Sequence, residues 1–143
     1  MSVKPFTHTF TLRFHEADPA GIMFFGNVYK LAHNAYEEFL VHLGFELKHW
    51  FHNPDWGVPV RQSSCEYFAP LVASRTFGIR VLIEKIGTTS FTLTYDFVAD
   101  GKTYCQARLV HTFIDIKAMK KRDLPSDVRK RFEAYQRECL ASQ

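Results

Sequence analysis

The sequence predicts an α+β fold in which a long central helix is wrapped by a curved antiparallel sheet, with an extra helix at the C-terminus. Three observations predict it. An alternating strand pattern opens the chain, one helical stripe of apolar residues follows, and four strand-like segments then succeed one another across short turns. Consecutive strands joined by short turns pair antiparallel. The helical stripe needs an apolar surface to bury it, and a curved sheet around one helix satisfies both demands.

The first strand is read from Phe6, His8, Phe10, Leu12 and Phe14 alternating with Thr7, Thr9, Thr11 and Arg13. It runs into His15-Glu16-Ala17-Asp18-Pro19-Ala20-Gly21, where proline and glycine mark a loop. The spacing of Val28, Leu31, Ala32, Ala35, Tyr36, Phe39, Leu40 and Leu43 predicts a helix over about 27–43, with Asn27 as N-cap and Gly44 just past its end. A short second helix is expected over 45–53. Strands are expected at about 58–68, 76–86, 90–99 and 103–116, with turns at Gly87-Thr88-Thr89 and Asp100-Gly101. Pro125-Ser126-Asp127 opens the last helix, which runs to about Leu140.

The 143 residues suit one domain over 1–143, and no repeat, low-complexity tract or linker suggests a second. Aromatics make up 15% of the chain, enough large side chains to fill a firm core at this length. No apolar run approaches the roughly 20 residues that span a bilayer, and no secretory pattern opens the chain. Cys65, Cys105 and Cys139 are odd in number and widely spaced, which reads as free thiols in a reducing compartment; a cytoplasmic protein is expected. The net charge of +3 is uneven, because Lys117 to Glu138 is strongly basic. Such a segment suits either a phosphate-bearing partner or a solvated helix face. It lacks regularly interleaved aromatics and carries four acids, so nucleic acid is not an expected partner, and with no spanning apolar run neither is a membrane.

The chemistry-bearing place is the loop at Asp18. The chain has no nucleophile elbow, P-loop or dinucleotide fingerprint. His49 and His52 share a helix face but lack further ligands at suitable spacing, so no metal and no cofactor is expected. At Asp18, a carboxylate precedes the apolar run Ile22-Met23-Phe24-Phe25 and then a helix start. Apolar surroundings make a carboxylate more basic. The free N–H groups of a helix's first turn can hold a developing oxyanion. These parts suffice for attack on a thioester, with the carboxylate acting on water as general base or attacking carbon directly. Asp-Pro is also a common turn pair, and from chemistry alone both readings of Asp18 stand.

The run Leu12 to Asn27, with its Asp18, Gly21, Phe24-Phe25 and helix start, resembles the active-site signature of the 4-hydroxybenzoyl-CoA thioesterase family. Val58-Pro59-Val60, Glu66 to Leu71, Gly87 to Phe91 and Met119 to Pro125 support the resemblance, which covers about Thr7 to Phe132. It implies the hotdog fold, hydrolysis of acyl-CoA thioesters without metal, and a homodimer or homotetramer with active sites at subunit interfaces. It implies Asp18 as the catalytic carboxylate and the backbone N–H groups of Phe25 and Gly26 as the groups polarising the thioester carbonyl. The chain departs at Phe25, where many relatives have Tyr. Ser63 and Ser64 fall on the strand that faces substrate across the dimer, and Lys85 and Arg122 are candidate contacts for CoA phosphate. The acyl group is aromatic (hydroxybenzoyl or dihydroxynaphthoyl) or short aliphatic. Val58 to Leu71 and Tyr36-Glu37 look closest to the naphthoyl branch, and Met119 to Pro125 is similar to the aliphatic one. The competing reading is a hotdog module that binds acyl-CoA without turnover, against which Asp18 itself argues. A hotdog dehydratase would need an Asp-His pair at a spacing not found here.

Overall fold

A computed structural model describes residues 5–141. Its elements are β1 (Thr7–Thr11), a 3₁₀ turn (Phe14–Glu16), α1 (Asn27–His42), α2 (Leu47–Phe51), β2 (Trp56–Gly57), β3 (Val60–Tyr67), β4 (Thr76–Ile86), β5 (Ser90–Ala99), β6 (Lys102–Thr112), β7 (Ile114–Asp115), β8 (Lys120–Lys121) and α3 (Ser126–Ala141). Five strands form one antiparallel sheet in the order β1-β4-β5-β6-β3, and β2-β7-β8 form a small second one. This is the hotdog arrangement of a long helix against an antiparallel sheet.

The apolar stripe on α1 explains the packing. Val28, Leu31, Ala32, Ala35, Tyr36, Phe39 and Leu40 are all buried. They meet the sheet face made by alternate residues such as Phe77, Ile79 and Val81 of β4 and Leu93, Tyr95 and Phe97 of β5. Burying each large side chain contributes about 1.5–3 kcal/mol, so this one interface dominates the fold. The helix ends as expected at Gly44, whose φ of +92° suits glycine. The N–H of Gly44 donates to Val41 O and that of Phe45 to Leu40 O, which closes the last turn.

The opposite face of the sheet is polar, with Glu84 and Gln106 exposed and Asp96 buried between its partners. Asp96 is 5% exposed and accepts from Arg80 at 3.0 Å and Gln106 at 2.6 Å. Helix α3 lies along the half of β4 that β1 is too short to pair. Its side chains take the place of a strand there: Tyr135 donates to Val81 O, Gln136 to Ile83 O and Arg129 to Gly87 O. Arg131 reaches Leu43 O and sits over the Phe45 ring. Part of the basic segment is thus engaged in holding the fold together.

Several expected boundaries move. Asn27 is the first helical residue and Gly26 the cap, because the Asn27 amide donates 2.8 Å to Glu16 O instead of turning back on its own helix. The first strand stops at Thr11, and Phe14 is 74% exposed in the 3₁₀ turn. The strand expected over 103–116 breaks at Phe113, where the backbone turns away to pair β2 and β8. The second helix is five residues long. Among the described residues no helix is long and apolar enough to cross a membrane.

Candidate active site

The Asp18 loop is held from three directions. Its 3₁₀ turn is closed by Glu16, whose Oε1 accepts from Arg13 N at 2.9 Å. The two arms of the loop clip together: Asp18 N donates to Ile22 O at 2.8 Å, Gly21 N to Asp18 O at 2.9 Å and Phe24 N to Glu16 O at 3.0 Å. Gly21, at φ +80°, takes the left-handed conformation that closes this turn. The loop is then pinned to the segment after β3, where Met23 N donates to Leu71 O and Ala73 N to Gly21 O.

Within that frame Asp18 keeps chemical freedom. Its Oδ1 accepts from Ala20 N at 2.8 Å, an ordinary Asx turn. Among the described residues no hydrogen bond reaches Oδ2. Asp18 lines a cavity of about 410 Å³ together with Ile22, Phe25, Tyr67, Phe68 and Leu71. Asp18 thus uses one carboxylate oxygen in the turn and leaves the other beside the cavity.

Phe25 and Gly26 stand at the start of α1, both exposed. Asn27 N and Val28 N already donate to Phe24 O and Phe25 O, whereas the N–H groups of Phe25 and Gly26 make no hydrogen bond among the described residues. The Phe25 ring is 67% exposed and packs on Phe24, with ring centroids 4.9 Å apart.

One participant was not read from the sequence. The Tyr67 hydroxyl donates 2.8 Å to the carbonyl of Phe25. That carbonyl shares a rigid plane with the Gly26 N–H, so the tyrosine fixes the direction of the N–H and polarises it. Tyr67 is 42 positions away from Phe25, and nothing in either local pattern points to the other.

The remaining candidates do not join this cavity within one chain. Ser63 and Ser64 sit on β3, an outer strand of the sheet, and point to opposite faces. Ser63 shares the α1 side with Cys65 and Tyr67 and lines a second cavity; Ser64 lies on the polar face. Lys85 is exposed at the bulge in β4. Arg122 is half-buried, its N–H donating 3.0 Å to Phe113 O, and the following segment is tied to the Gly87–Thr89 turn through Leu124 N and Thr88 O. His49 approaches Asn53 at 3.3 Å and the Trp56 ring. Among the described residues no three His, Cys, Asp or Glu side chains gather.

Comparison with known proteins finds relatives of similar length and fold. A family model for the thioesterase-like superfamily matches residues 12–132. A 1,4-dihydroxy-2-naphthoyl-CoA hydrolase of Nostoc punctiforme is 31% identical, over 94% of this chain and 90% of its own. A gentisyl-coenzyme A thioesterase structure is 28% identical with a TM-score of 0.78, covering 89% of this chain and 98% of its own. A 1,4-dihydroxy-2-naphthoyl-CoA thioesterase structure from Synechocystis, 22% identical, covers 89% of this chain and 94% of its own with a TM-score of 0.82.

Proposed function

The chain belongs to the thioesterase-like superfamily, and we propose that it is an acyl-CoA hydrolase whose substrate is an aromatic acyl-CoA, with Asp18 as its catalytic carboxylate. The observation that carries this reading is the cavity beside the start of α1, lined by the Asp18 carboxylate and by Phe25, which with Gly26 has an unused N–H. The Nostoc hydrolase and the gentisyl-coenzyme A thioesterase named above support the substrate class over short aliphatic esters. So does the resemblance of Val58 to Leu71 to the naphthoyl branch.

In this mechanism the thioester oxygen accepts hydrogen bonds from the Phe25 and Gly26 N–H groups, which stabilise it as negative charge develops. Asp18 accepts a proton from water as the water oxygen bonds to the carbonyl carbon. The tetrahedral intermediate then expels the CoA sulfur, which takes up that proton. Direct attack by Asp18 would expel the CoA thiolate and give a mixed anhydride, which water opens in a second step, its proton passing to the thiolate. Tyr67 acts as a positioning residue through the Phe25 carbonyl.

The reading includes a second copy of the chain. Strand β3 presents an unpaired edge, with Val60 and Tyr67 49% and 45% exposed. An open edge of eight residues is a liability unless it is paired. Edge-to-edge pairing would bring Ser63 or Ser64 of one copy toward the other's site. Lys85 and Arg122 are proposed as phosphate contacts for CoA.

A thiol-release screen across aromatic and short aliphatic acyl-CoA esters, run beside the matching pantetheine esters, tests the reading. Aromatic CoA esters should turn over with the highest kcat/KM, and a CoA-over-pantetheine advantage should appear in KM. Binding without thiol release would establish the non-catalytic module instead.

A further inference from the structure

Two hydrogen bonds from either side of the Phe25–Gly26 pair converge on one acceptor. The carbonyl of Glu16 accepts from Phe24 N at 3.0 Å and from the side-chain amide of Asn27 at 2.8 Å. Phe24 and Asn27 immediately flank Phe25 and Gly26, whose own N–H groups make no hydrogen bond among the described residues. Glu16 lies two residues before Asp18, on the arm of the loop that carries the carboxylate. The Asn27 bond therefore ties the helix start to the Asp18 arm. Lys30, three residues further along α1, lies 3.7 Å from the Glu16 carboxylate, so the first turn of the helix meets Glu16 twice.

Helix formation does not require this bond. Asparagine at a helix start ordinarily stands at the cap and turns its Oδ1 back onto the N–H groups of the first turn. Here Gly26 is the cap, no side chain caps the helix, and the first turn holds no acid. Asn27 sits one position later and donates outward, to a carbonyl 11 positions back along the chain. Helix α1 thus forgoes a stabilising cap, and what it has instead is a fixed distance between its first N–H groups and the Asp18 loop. Gly26 is confined in the same place: a Cβ there would meet Phe24 Cε2 at 2.8 Å, so the Phe24 ring closes over the glycine.

We propose that Asn27 is a positioning residue for the polarising step: its side-chain amide sets the Phe25 and Gly26 N–H groups against Asp18, so that both act on one thioester carbonyl. The inference rests on the hydrolase reading above and deepens it, naming a residue that touches neither substrate nor water. Tyr67 holds the Phe25 carbonyl through its hydroxyl, and Asn27 holds the next turn of chain through its amide. The rigid Phe25–Gly26 peptide is thereby fixed from two directions. Catalysis is steep in such distances, since a displacement of about 1 Å can cost roughly 10²-fold in rate.

The experiment uses Asn27→Ala, which removes the donor and leaves a good helix former, and Asn27→Gln, which keeps an amide on a longer arm. In protein shown to be folded by circular dichroism, Asn27→Ala should lower kcat for aromatic CoA esters about 10–100-fold with KM within about twofold, and Asn27→Gln should recover part of the loss. A purely structural role would not move the second readout, the carbonyl stretch of benzoyl-CoA isotope-labelled at the carbonyl and bound to Asp18→Asn protein, recorded by difference infrared spectroscopy. Hydrogen bonding from the two N–H groups should lower that frequency on binding. Adding Asn27→Ala should remove most of the shift while the ester still binds, and adding Asn27→Gln should return part of it. An unchanged shift or an unchanged kcat in folded Asn27→Ala overturns the inference and leaves the hydrolase reading standing. No shift even before Asn27 is changed overturns the inference together with the polarising role of Phe25 and Gly26. No turnover by the wild type, with a shift that depends on Asn27, would sink the hydrolase reading and keep Asn27 as the residue that sets the N–H pair.

Discussion

Glu16 and Asp18 stand two residues apart in one loop, and their surroundings could hardly differ more. Glu16 is 6% exposed; its Oε1 accepts the Arg13 N–H, and Lys30 lies 3.7 Å from Oε2. Its backbone carbonyl is taken twice, by Phe24 N and by the Asn27 amide. Asp18 is only half-buried, with one oxygen in an Asx turn and the other unengaged beside a cavity. Asp96 repeats the Glu16 pattern on the far side of the sheet, buried and bonded through both oxygens. A carboxylate whose acceptors are all used holds its neighbours in place; one with an acceptor to spare can take a proton.

Substituting Asp18 should break the comparison most severely. Asp18→Asn keeps the shape and the Ala20 contact, so folding and KM should be nearly unchanged. The general-base step should lose about 10²–10⁴-fold in kcat, and more if Asp18 is the nucleophile. The check is kcat by thiol release after circular dichroism; near-wild-type turnover would remove Asp18 from the chemistry.

A pH–rate profile sharpens the contrast only once unfolding is separated from catalysis, and His111 sets the boundary. Burial, the largest cause, lowers its folded pKa to about 4, with His33 nearby adding to the shift. An exposed histidine in the unfolded chain titrates near 6.5. Between those values the unfolded chain binds the extra proton, so stability should be fully present above about pH 6.5 and should decline as the pH falls toward 4. The loss is at most about 3 kcal/mol. Denaturant titrations across pH 4–7 should show this slope, and His111→Phe should flatten it.

Glu16 should report the opposite behaviour from Asp18. Glu16→Gln keeps an acceptor for Arg13 N but removes the charge facing Lys30. It should lower stability by about 1 kcal/mol, a drop of a few degrees in Tm, while kcat stays within a few-fold. A loss of turnover as large as that of Asp18→Asn would reverse the assignment of the two acids. The smallest effect belongs to Tyr67→Phe. Losing one hydrogen bond to the Phe25 carbonyl should lower kcat roughly fivefold with KM unchanged. A change in KM alone would make Tyr67 a binding residue.

Much of the molecule was legible beforehand because it follows from local periodicity. The helix from Asn27, its apolar stripe, its glycine stop at Gly44 and the four main strands are written in spacings of two and of three to four residues. The Asp18 loop was legible because proline, glycine and an acid cluster there before an apolar run. What escaped depends on partners distant in sequence. The small sheet of β2, β7 and β8 uses strands of two residues, too short to carry a period. Asn27 looked like a cap, and only its contact with Glu16 O, 11 positions back, makes it a tie for the loop.

The sequence by itself determined the fold class, the loop in which a reactive carboxylate could stand and the helix start beside it, because all three depend on residues close together in the chain. Only the tertiary structure decided which groups are spent and which are free. Ser63 and Ser64 are alike in sequence but face opposite sides of β3, and Glu16 is consumed where Asp18 is not. His111, an ordinary strand residue by pattern, ends buried between the Tyr36 and Phe91 rings. Hydrogen-bond satisfaction is a property of packing between distant segments, and no local spacing encodes it.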